Sequence, residues 1–345
     1  MKKIVFAVLL IVLIGCGTKK QIPDVSKVQV TLSTQHFEQD FFAMDTTQID
    51  TSIQQLFNKY PVFMVDFLQN ILASNPQPDS IMQNVKLFTS AYHNVYIASQ
   101  QTFGNFNDVE NEIKQGFKFV KHYYFPNYKL PTQLVTYIGP WDAMFMLSNN
   151  ANGSGIMRDE NILGIGLQLS MGSNFPVYQD GAIQALYPAF ISKKFDKKYI
   201  ASNALNVIID DLYNARTLGK PLVEQMIEAG KRLYLLDAFL PNTPDSIKTG
   251  YTQAQLNGCI KNETNIWNFF ITNDLLFVNE PTIIKDYMTE APNTPALGNE
   301  SPGFIGKFVG WQIVKKWMQK NEKKSLNDLL NTSSKEIFET SKYKP

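Results

Sequence analysis

The chain has 345 residues, 44% of them hydrophobic and 18% charged, which is enough to bury a substantial core. Its 32 Lys and Arg stand against 31 Asp and Glu. There is no basic surplus to hold a phosphate backbone, so nucleic acid is not an expected partner. Aromatic residues make up 12% of the chain, which suits a large helical core or a partner surface lined with rings.

The N-terminus carries the most specific signal. Lys2 and Lys3 precede an unbroken apolar run from Ile4 to Ile14. That run is too short for a bilayer span, which takes about 20 residues, but it suits the apolar region of a signal peptide. It ends in Leu13-Ile14-Gly15-Cys16, which resembles a bacterial lipobox. The resemblance implies cleavage after Gly15, diacylation of the Cys16 thiol, and acylation of the new α-amine by a chain such as palmitate. Several acyl chains anchor stably where one is marginal. Residues 1–15 are therefore read as a lipoprotein signal peptide and 16–27 as a lipidated tether, with 28–345 as a single mature domain. No aspartate and no acidic cluster follows Cys16, which points to the periplasmic face of the outer membrane. Cleavage removes Lys2 and Lys3 and leaves 30 cations against 31 anions. With Cys16 lipidated, Cys259 has no partner within the chain, and it is read as a small buried hydrophobe.

Beyond the tether, Val28 to Leu32 alternate as a first strand would. Residues 36–45 form a loop or short helix pinned by aromatics. Helices are expected at 50–59, at 61–73 with Pro61 opening it, and at 78–100. Asn107 and Glu110 are spaced as a capping pair before Val109, Ile113, Phe117 and Val120, and Tyr123-Tyr124-Phe125-Pro126 closes that helix. Residues 133–138 and 162–170 read as strands of a small sheet, separated by a turn-rich loop from Trp141 to Glu160. From 179 onward the pattern is almost wholly helical: 179–191, 197–214, 219–238, 253–260, 262–275 and 281–289. Thr252 with Gln255, and Ser325 with Asp328, have capping-box spacing. The fold class expected is α+β and predominantly helical, a small mixed sheet in the first half packed on a helical second half.

The segment from Asn299 to Met318 looks central. Ser301 is placed as an N-cap with Pro302 at the first helical position. Ile305, Phe308, Val309, Ile313 and Trp317 recur at the spacing of a buried helix face. Gly303, Gly306 and Gly310 each cost a helix interior about 0.5–1 kcal/mol relative to alanine. Two readings account for them: another backbone crosses close by, or a ligand lies on a cleft wall formed by these glycines and Trp311.

No catalytic constellation stands out. His36, His93 and His122 are far apart, and none belongs to the HExxH pattern that gives a zincin two imidazoles one helical turn apart. Neither a G-x-S-x-G elbow nor a Walker loop is present, and Gly164-Ile165-Gly166 lacks the glycine helix of a dinucleotide cradle. Asp210, Asp211, Glu224 and Glu228 are read as solvated helix surface, with Lys231 and Arg232 placed to pair with them. No metal and no cofactor other than the covalent lipid on Cys16 is expected.

Several segments together resemble the GldB family of gliding-motility lipoproteins from Bacteroidota. They include YPVF (60–63), KHYYFP (121–126), IGLQLSMG (165–172), QMIEAGKRLYLLDAFLP (225–241), YTQAQL (251–256), NIWNFFITNDLLF (265–277), APNTP (291–295), SPGFIGKFVGWQIV (301–314) and SKYKP (341–345). The resemblance implies a role in gliding, within machinery linked to type IX secretion, and brings no established reaction. More distantly, residues 199–217, the QMIEAGKRLYLL segment and the glycine helix resemble the layout of zincin-like peptidases. Residues 184–212 contain neither histidine nor glutamate, so that resemblance implies a fold without its metal, with Glu228 beside Gly230 as a remnant of an EG element. Three functions are in view. The first is a non-catalytic tethered component acting through protein contacts. The second is a carrier or chaperone holding a peptide or lipid in a vestigial cleft. The third is an envelope hydrolase using Glu228 with Asp237 or Asp210.

Overall fold

The computed structural model describes residues 22–123, 125, 128–142, 155–215 and 217–345. Gly15, Cys16 and the tether as far as Gln21 lie outside the described residues, as do Tyr124, Pro126 and most of the expected turn-rich loop.

The alternating stretch 28–32 is not a strand. Val28 and Val30 pack on the core in irregular backbone, while the first strand, β1 (Ser33–His36), starts where Ser33 finds Gln133 on its neighbour. Alternation reported which side chains face inward, not where the ladder runs. β1 passes directly into helix α1 (Phe37–Phe42). α2 (Ile49–Lys59) follows, and the expected helix over 61–73 is a short turn, Phe63–Asp66, continued as a π-helical segment, Phe67–Ile71. Then come α3 (Pro78–Phe103), opened by its proline, and α4 (Asn107–His122). Asn107 already lies inside α4 and caps nothing; Glu110 instead accepts a hydrogen bond from Thr34 Oγ1 at 2.7 Å, tying the helix to β1.

Strands β2 (Gln133–Tyr137), β3 (Ile156–Asp159) and β4 (Ile162–Gly166) complete a sheet of order β1-β2-β4-β3. β1, β2 and β4 run parallel, and β3 pairs antiparallel with β4. β3 falls within the stretch expected to be loop, because Ile156–Asp159 can fold back on Ile162–Ile165 across a short turn. β4 is buried along its whole length, as a covered strand should be. It stops at Gly166 and not at 170, passing into a 3₁₀ turn, Leu167–Leu169.

The second half is helical. The expected helix over 179–191 is broken at Pro188, which cannot donate within a helix, into α5 (Gly181–Leu186) and a single turn, Ala189–Ser192. α6 (Ile200–Leu212), α7 (Leu222–Phe239), α8 (Asp245–Thr249), α9 (Gln253–Lys261), α10 (Glu263–Thr272), α11 (Pro281–Met288), α12 (Ile305–Lys320), α13 (Leu326–Asn331) and α14 (Ser334–Ser341) follow. Both predicted capping boxes form, Thr252 with Gln255 and Ser325 with Asp328. The chain is thus a predominantly helical α+β protein. One connected set of buried side chains runs from Val25 to Tyr343.

α7 and α12 cross at its centre. A Cβ on Gly310 would lie 1.6 Å from the Met226 carbonyl oxygen, and one on Gly230 would lie 2.2 Å from the Gly310 carbonyl carbon. The two helices touch backbone to backbone, which requires glycine on both. Gly306 abuts Tyr287 and Met288 of α11, and Gly303 abuts the Ala291 backbone. All three α12-region glycines therefore face protein. α12 itself starts at Ile305, later than the expected cap. The Ser301 hydroxyl hydrogen-bonds with Thr294 and Gly298 instead of capping, and Phe304 turns the chain in a left-handed conformation at φ 56°.

Candidate functional site

Beside the crossing lies a cleft of about 160 Å³. α6 contributes Ser202, Asn203 and Asn206, and α7 contributes Ala229, Arg232 and Leu233. The end of α8 contributes Lys248 and Thr249, the turn after it Gly250, and the entry to α12 contributes Phe304 and Lys307. Lys194 and Glu290 complete its charged lining. Residues 202, 203 and 206 stand one, two and five along a helix, so 202 and 206 lie on one face a turn apart and 203 flanks them.

The charged groups are organised around Glu290. It receives Lys194 at 2.9 Å and Lys307 at 3.5 Å. Burial raises the Glu290 carboxyl, but the two ammonium groups outweigh burial and hold it below the ordinary carboxylate range. Lys307 also donates to the Thr249 carbonyl at 2.7 Å and sits over the rings of Phe304 and Tyr251. Burial, opposed by Glu290 and assisted by Lys194, lowers its amine below the ordinary lysine range. A bulky residue at positive φ is an outlier. Phe304 is held there by its carbonyl, which accepts from the Tyr251 hydroxyl at 2.9 Å.

Arg232 pairs with Asp210, and Lys248 pairs with Asp237 at 2.6 Å and Asp245 at 2.8 Å. The carboxylates of these pairs stand behind the lining and not in it. Trp311 is fully buried and donates from its indole N–H to Asp237 at 2.7 Å. It thus supports the cleft through Asp237 and Lys248 without lining it.

Glu228 departs from the surface reading. It is 6% exposed and faces away from the cleft, where it accepts from Lys231, Tyr213 and Ser334. Lys231, 1% exposed, also donates to the Thr332 carbonyl at 2.8 Å, so this network fastens the C-terminal helices to α7. Glu228 is buried because Lys231 and two hydroxyls meet its charge there. Glu224 pairs with Lys220 across one turn, and Asp211 with Arg158 at 3.3 Å. Glu228, Asp210 and Asp237 are each bound to a different cation and do not form a carboxylate pair. Among the described residues no three of His, Cys, Asp and Glu are arranged to hold a metal ion. Cys259 is buried, and burial pushes its thiol up to about 12.

Sequence reasoning passed over Lys194, Glu290 and Lys307. A signal existed for the last: Lys307 is the only charged residue from Ile305 to Val314.

The fold and cleft define a mainly helical α+β protein built on a glycine-mediated helix crossing. The sequence model described as gliding motility protein GldB matches residues 18–345. The chain belongs to the GldB family of gliding-motility proteins. No curated protein and no solved structure matches it significantly.

Proposed function

We propose that the protein is a lipid-tethered component of the gliding machinery, linked to type IX secretion, which acts through protein contacts without catalysis. Cys16 carries the lipid, and the anchor faces the periplasm from the outer membrane. Tethering confines the protein to a surface, where effective concentration makes modest interfaces sufficient.

The observation that carries the non-catalytic reading is the polar face of α6. Where a zincin helix bears His, Glu and His at spacing i, i+1 and i+4, this cleft presents Ser202, Asn203 and Asn206. These side chains hydrogen-bond but neither ionise near neutral pH nor hold a zinc ion as imidazole and carboxylate do. A cleft lined on α6 by one hydroxyl and two neutral amides offers hydrogen bonds to a bound molecule without offering metal ligands there. This favours the second reading of the sequence, a cleft that holds a peptide or lipid, within the same motility role. The hydrolase reading loses its acid pair, since Glu228, Asp210 and Asp237 are engaged separately.

Ser202 is the one serine in this lining. A strain deleted for the gene and complemented with Ser202→Ala is expected to spread as the wild type does. Lost spreading at normal protein abundance would contradict the non-catalytic reading.

A further inference from the structure

Four cations, Lys194, Arg232, Lys248 and Lys307, line the cleft against one carboxylate, Glu290. Arg232 and Lys248 are balanced from behind by Asp210, Asp237 and Asp245. Lys194 and Lys307 are not balanced in that way. They share Glu290, and each repels the other. One negative charge is missing at this point of the lining. Asn203 and Asn206 offer two N–H donors each, and neither makes a side-chain hydrogen bond to any described residue. Around these polar groups stand Ile191, Phe195, Tyr199, Leu233 and Phe304.

The missing group is therefore a monoanion attached to something apolar. A phosphate would set up to two charges against Glu290, which already occupies the lysine pair. An acidic side chain brings too little hydrocarbon for the aromatic wall. A fatty acid has the same head group but no backbone amide from which the side-chain carbonyls of Asn203 and Asn206 could accept a hydrogen bond. We propose that the cleft binds the C-terminal residue of a partner polypeptide. The free carboxylate lies between Lys194, Lys307 and the amides of Asn203 and Asn206, and an apolar side chain packs on Phe195, Tyr199 and Leu233. Capture of a terminal carboxylate by fixed donors is an established mode of peptide recognition.

The inference rests on the non-catalytic reading of the cleft, and the two fail differently: a peptide bound and then cleaved sinks that reading, and a peptide not bound sinks only this one. The test uses the full lipoprotein in detergent and fluorescence polarisation of a labelled short peptide ending in leucine, as free acid and as amide. The free acid binds at least about tenfold more tightly than the amide, a difference of about 1.4 kcal/mol. Asn203→Asp, nearly isosteric and placed to repel the carboxylate, weakens binding of the acid about tenfold and narrows its preference over the amide. Lys194→Gln, on a partly exposed side chain, erases the preference for the acid. Equal affinity for acid and amide, or no binding of either at about 1 mM, overturns the proposal. So does displacement of the peptide by inorganic phosphate or laurate at concentrations below those of the unlabelled acid.

Discussion

At position 310 there is no room for a methyl group. Its Cβ would lie 1.6 Å from the Met226 carbonyl oxygen, a backbone atom that cannot rotate away. Gly310→Ala should therefore force α7 and α12 apart and cost about 3 kcal/mol, the upper end of overpacking effects. Gly258→Ala on α9 has open space around it and should stabilise by about 0.5–1 kcal/mol through helix propensity. Denaturant unfolding of both variants checks the pair, and similar values would contradict the crossing. A second residue-scale test lies at Lys231. Replacing it with methionine leaves Glu228 buried without its counter-ion and should cost about 3–5 kcal/mol. Replacing Lys231 and Glu228 together by apolar residues should cost less, which a double-mutant cycle measures. His36 provides a pH handle. Its hydrogen bond from the ring to Glu38, outweighing burial, raises the imidazole above its usual 6.5. A raised folded-state value means this stabilisation is complete below about 6.5 and disappears as pH rises through the folded value. Unfolding free energies of wild type and His36→Gln should thus differ most in mild acid and converge above the folded value; a constant gap would contradict the assignment.

Among the elements, long periodic helices were legible and boundaries set by tertiary partners were not. The 78–103 and 222–239 helices follow their apolar spacing, and the boxes at Thr252 and Ser325 are local chemistry that tertiary structure had no reason to override. Ser325→Ala should cost about 1 kcal/mol, read as a fall in melting temperature. The Ser301 cap fails because a nonlocal partner, the Thr294 backbone, claims its hydroxyl. β3 was missed because its pairing is visible only once β4 is in place. The glycines announced a close approach on α12, but the sequence does not say that Gly230 of α7 is the other half. The cleft was less legible than the fold. Lys194 lies about a hundred residues before Glu290 and Lys307 in the chain, and the three meet only through the packing of α12 against the turns around it.

At the scale of the molecule, the second-half helices hold a preformed cleft, and the sheet with its aromatic cover packs into the same core. Among the described residues no helix is long and apolar enough to cross a membrane; the attachment proposed is the lipid on Cys16. Family membership places the protein in gliding motility, and the role proposed within it is that of a tethered binding component. Colony spreading by a deletion strain complemented with wild type or Cys16→Ala tests that claim most directly. Wild type should restore spreading and Cys16→Ala should not, although the unlipidated protein accumulates to normal levels and remains folded. Full spreading with Cys16→Ala would contradict it.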